Sequence, residues 1–116
     1  MRYPTLGDYY YKKDGTLKFE IAETGNFLYN KMILVHELIE QALTERRGIT
    51  AELIDAFDLN YEKERESGKH GKGDEPGFDI RCPYYPEHTL ATAVEMIICA
   101  HVGVSWAKYE DDLNEI

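Results

Sequence analysis

Two segments of this chain read as long, strongly apolar helices, and each is interrupted by ionisable groups that line up on one side. The first, 26–47, has neither Gly nor Pro and carries His36-Glu37-Leu38-Ile39-Glu40. His36 and Glu40 are four residues apart and point the same way, with Tyr29 and Ile33 beside them and Met32, Ile39 and Leu43 flanking. Lys31, Gln41 and Glu45 fall on a different, solvated arc. The second segment, 86–102, is apolar or small almost all round, with Leu90, Val94, Ile97 and Ile98 as its bulk. At about 100° per residue its interruptions His88, Thr92, Glu95 and Cys99 fall within about 60° of one another. A helix apolar all round is normally buried, and buried polar groups have to be hydrogen-bonded, paired or metal-bound. The two faces are therefore expected to meet, with His36 and Glu40 against His88 and Glu95.

The remainder of the chain supplies a small α+β frame. A length of 116 residues supports one core, hence a single domain over 1–116. Residues 8–22 alternate in the strand manner, with Tyr9, Tyr11, Leu17, Phe19 and Ile21 on one face and Asp14-Gly15 suited to a hairpin turn. This predicts an N-terminal β-hairpin packed on three main helices, 26–47, 50–66 and 86–102, with a short C-terminal helix over 105–114. Gly48 and Gly103 are stops, Thr50 and Ser105 are N-caps, and Pro86 suits a first turn. In the second helix Leu53, Ile54, Phe57 and Tyr61 form the apolar face, with Asp55, Glu62 and Glu66 opposite. Between the helices, 67–85 is rich in Gly and Pro, and a connection of about 19 residues without structure is either mobile or a lid.

Charge narrows the partners. A net charge of -9 argues against nonspecific nucleic-acid binding, which needs clustered Lys and Arg. It leaves room for a protein partner with a basic surface, and a homodimer stays open. No run reaches the roughly 18 to 20 apolar residues of a membrane span, and the first residues lack a signal-peptide pattern, which predicts a cytoplasmic protein. Cys82 and Cys99 have no zinc-ribbon spacing and are expected to be reduced. His70, among lysines and glycines, should be solvent-exposed, and His101 should be a core histidine.

A divalent metal would satisfy the two polar faces most completely. His36 and Glu40 are placed as two ligands from one helix, and His88 as the third. Glu95 is either a fourth ligand or the carboxylate that orients an imidazole. Imidazole with carboxylate suits zinc ahead of manganese or iron. Glu37, about 100° from His36 on the helix, would serve as general base on a metal-activated water. The competing reading is a hydrogen-bonded cluster that fixes helix register.

In its first two residues the His36-Glu37-Leu38-Ile39-Glu40 run resembles the His-Glu-x-x-His helix of zincin metallopeptidases, departing at Glu40, where that family has its second histidine. Glu37-Leu-Ile-Glu40 followed by Asp55-Ala-Phe-Asp58 resembles the paired acidic motifs of all-α nucleotide pyrophosphohydrolases, a resemblance that implies magnesium. Residues 25–109 are similar to a family of small uncharacterised phage and prophage proteins. The shared pieces are Gly25-Asn26, the His36–Glu40 run, Asp55-Ala56-Phe57-Asp58, Asp74-Glu75-Pro76-Gly77, Pro83-Tyr84 with Glu87-His88, and Gly103-Val104-Ser105-Trp106. The leading expectation is a small metal-dependent hydrolase acting on a small molecule or peptide. Its alternative is a non-enzymatic, phage-encoded binding or inhibitor protein that uses its acidic surface or the Tyr9-Tyr10-Tyr11 strand.

Overall fold

A computed structural model describes residues 5–116. Strands β1 (Gly7–Tyr11) and β2 (Leu17–Ile21) pair antiparallel, with Tyr9 opposite Phe19 and Tyr11 opposite Leu17. Lys12 and Thr16 close the turn, so that Lys13, Asp14 and Gly15 form a three-residue loop. Gly15 takes φ +87°, the left-handed position that such a loop needs before the second strand resumes. The hairpin rests on α1 (Phe27–Arg46), whose N-terminus is capped by Asn26 Oδ1 accepting from the Tyr29 N–H at 3.1 Å. Thr50 caps α2 (Ala51–Glu66) in the same way, and Ser105 caps α4 (Trp106–Asn114). Pro86 lies in the first turn of α3 (Tyr85–Val102), which stops at left-handed Gly103.

The main contact is α1 along α3, and the order of its bonds shows that the two run antiparallel. His36 meets Glu95, Glu40 meets His88, and Arg47 meets Glu87. One apolar cluster, Tyr29, Met32, Cys99 and Tyr109, closes the seam at the α4 end, where the Tyr29 and Tyr109 rings meet edge to face at 4.9 Å. A second, Ile54, Cys82 and Tyr84, closes it near α2. The polar groups lie between the two clusters.

Several burial expectations are corrected. The inward side of α3 is its polar stripe, Glu87, His88, Ala91, Glu95 and Cys99, while Leu90 and Ile97, expected as buried bulk, are 47% and 68% exposed. A helix without charge contrast offers its neighbour no apolar stripe to select, so the groups that need partners chose the face. Leu53, assigned to the apolar face of α2, is exposed, and Gln41, assigned to solvent, is buried with its amide on Glu45 at 3.0 Å. His101 is exposed, whereas His70 is stacked on Tyr61 with ring centroids 3.9 Å apart and bonded to Glu64 at 3.0 Å. The connection 67–85 is organised too, with a 3-10 turn at Pro76–Phe78. Arg65 donates to the Gly71 and Asp74 carbonyls, and Arg81 bridges Asp79 and Glu64 at 2.7 Å each. Among the described residues no single helix is long and apolar enough to cross a membrane.

Candidate metal centre

His36 and Glu40 project from successive turns of α1 into the seam, and His88 enters from the first turns of α3. Glu40 Oε2 lies 2.7 Å from His36 Nε2 and 2.5 Å from His88 Nδ1, and the two ring nitrogens are 3.0 Å apart. All three residues are buried. Three basic atoms facing one point repel unless a positive charge sits among them, and that charge is a proton or a metal ion. A zinc ion holds such atoms at about 2.0–2.2 Å, which would spread a tetrahedral set to about 3.3 Å apart. The triangle, at 2.5 to 3.0 Å, is tighter than that spacing. Among the described residues these three form the one group of His, Cys, Asp and Glu atoms that converges closely enough to hold an ion.

Glu95 is engaged on both carboxylate oxygens, outside the triangle. Its Oε1 accepts from His36 Nδ1, while Nε2 of that ring faces the triangle. Its Oε2 accepts from the Tyr109 hydroxyl at 2.5 Å, so both carboxylate oxygens are occupied. Burial opposes charge on His36, yet its bonds to Glu40 and Glu95 outweigh that and lift its pKa to about 11. His88, also opposed by burial, is raised to about 9 by Glu40 and Glu75. Burial works against the Glu40 carboxylate as well, but bonds from both histidines hold its pKa below the ordinary value.

Glu37 lies beside the triangle, under the start of β1. A Cβ on Gly7 would fall 2.6 Å from Glu37 Cγ and 2.7 Å from its Oε1, so only glycine allows this approach. Burial, then the charge of Glu40, pushes the Glu37 pKa to about 8, with Asp8, buried in β1, adding to the effect and the two histidines opposing it. A carboxyl group raised toward neutrality beside imidazoles is suited to exchanging protons near pH 7.

The carboxylates compared with pyrophosphohydrolases do not gather into one set. Glu40 faces the histidines, Asp58 accepts from the Tyr84 hydroxyl at 2.6 Å, and Asp55 is absent from the converging group. Cys99 belongs to the apolar cluster, as a buried free cysteine. Two participants escaped sequence reasoning, and a third was foreseen only conditionally. Tyr109 looked like a packing anchor, and nothing in its spacing linked it to Glu95. Glu87, next to His88, is buried and bonded by the Arg47 guanidinium through both oxygens, at 2.5 and 3.0 Å. Glu75 approaches His88 Nε2 at 3.4 Å from the long connection, one of the acids that could reach the site only if that loop folded over it. Compared with protein-family models, curated proteins and solved structures, the chain matches none.

Proposed function

We propose that this protein is a small metal-dependent hydrolase whose centre is held by His36, Glu40 and His88, with zinc favoured over manganese and iron. The observation that carries the reading is the convergence of two imidazole nitrogens and one carboxylate oxygen, all buried, on a single point. Three protein ligands leave a fourth position for water or substrate, the arrangement of catalytic rather than structural zinc. A divalent ion there would supply Lewis acidity and a water that ionises near neutral pH. Glu95 keeps His36 in the ligating tautomer, and Tyr109 holds Glu95. With an ion bound, Glu37, beside the histidines, would be the carboxylate placed to accept a proton from a water and pass it to the leaving group. The substrate class is a small molecule or a peptide.

The test is element-resolved metal analysis of purified protein, followed by titration with zinc, manganese and iron. One equivalent bound, and lost in His36→Ala, is the expected result; no stoichiometric binding of any of the three sinks the proposal. A second reading draws on the bonds among His36, Glu40, His88 and Glu95, which satisfy one another when a proton supplies the positive charge. The cluster would then fix helix register in a phage-encoded acidic protein that binds a basic partner. In that case folded His36→Ala keeps its activity, and charge reversal on the surface abolishes it.

A further inference from the structure

His88 presents its two nitrogens to different parts of the molecule. Nδ1 belongs to the triangle with Glu40 and His36, while Nε2 is buried and makes no hydrogen bond. The ring as a whole is covered, the residue being 6% exposed. Its cover is the segment around Pro76–Phe78. A Cβ on Gly77 would lie 2.2 Å from His88 Cγ, so the backbone rests directly on the ring, and Phe78 meets the imidazole edge-on with centroids 4.5 Å apart. Just before this cap, Glu75 Oε1 stands 3.4 Å from Nε2, beyond good hydrogen-bond range but the carboxylate nearest to it.

We infer that Glu75 is a positioning residue for His88, and that cation binding at the centre draws the 71–79 segment down onto it. The inference rests on the metal reading above. A cation held through Nδ1 requires the ring proton to sit on Nε2, where it needs an acceptor. Glu75 supplies one by closing a fraction of an ångström. His36 already has the equivalent partner in Glu95, so the second imidazole gains the matching carboxylate. The two partners differ in mounting. Glu95 is buried on α3, whereas the Glu75 side chain is half exposed on a connection held to α2 by Arg65. Cation occupancy and the position of the cap are therefore linked, and linkage is reciprocal: displacing the cap weakens cation binding.

The experiment uses the full chain, Zn2+ alone as ligand, and a chromophoric chelator as competitor, with circular dichroism to verify that each variant is folded. Loss of an outer partner of a metal-bound histidine typically weakens affinity at least tenfold, so Glu75→Ala is expected to bind zinc about tenfold less tightly than wild type. Glu75→Gln, which keeps an acceptor oxygen, is expected to restore most of the loss. Gly77→Ala, whose Cβ forces the cap off the ring, should reproduce the loss without touching Glu75. Zinc should slow tryptic cleavage at Lys69 and Lys72 in wild type and not in Glu75→Ala. Equal zinc affinity and equal protection in wild type and Glu75→Ala, or wild-type affinity in Gly77→Ala, overturns this inference and leaves the metal centre standing. Failure of wild type to bind zinc at all removes the metal reading and this inference together.

Discussion

Tyr109 occupies the outermost position of a relay that ends at the centre, its hydroxyl on Glu95 and Glu95 on His36. Replacing it with Phe keeps the ring against Tyr29 and Trp106 and removes only the hydroxyl. A buried carboxylate oxygen then loses its donor. Tyr109→Phe is expected to cost about 1–3 kcal/mol of stability in chemical denaturation, more than Tyr11→Phe, whose hydroxyl bonds Glu45 at the surface. At this scale the sequence was informative wherever an ionisable group interrupted an apolar face. His36, Glu40, His88 and Glu95 announced themselves in that way, and they meet. Tyr109 carried no such signal, because tyrosine is at home in a core and the contact spans two helices. Glu75 was legible only conditionally, as an acid that could reach the site if the loop folded over it.

At the level of elements, boundaries were legible and faces only where polar groups marked them. Asn26, Thr50 and Ser105 start helices as capping chemistry requires, and Gly48 and Gly103 follow their ends in the left-handed conformation. The inward face of α3 was identified through its polar stripe, while its apolar bulk, read as buried, faces out. Hydrophobicity decides orientation only by contrast, and α3 has almost none. Two substitutions check this placement in denaturant titrations. Ile97→Ala is expected to change stability by no more than about 0.5 kcal/mol, since the side chain is largely in solvent. Ala91→Leu is expected to cost about 1–3 kcal/mol, because Ala91 is fully buried on the inward face of α3 and added methylenes have nowhere to go. The reverse ranking would show that α3 is rotated about its axis.

For the whole molecule, the long connection depends on charge. Bonds from Arg81, then His70, pull the Glu64 pKa down to about 2, and bonds from Arg81 do the same for Asp79. Carboxylates depressed by folding stabilise the native state above their ordinary values of 4.5 and 3.8 and lose that contribution as pH falls toward 2. Melting temperature should therefore drop over that window, with the 67–85 connection opening to pepsin, which cleaves beside aromatic residues such as Phe78. Arg81→Ala should flatten the dependence. The bonds of the centre carry one more consequence, through their distance along the chain. His88 to Glu40 spans 48 residues and His36 to Glu95 spans 59, whereas the hairpin and the helix turns close locally. Loop closure on that scale comes before any reward from the contact, so the centre assembles late, on the native side of the folding barrier. In stopped-flow measurements Glu95→Ala should accelerate unfolding and leave the folding rate nearly unchanged. The polar seam thus acts on the lifetime of the native state and has little part in the search that reaches it.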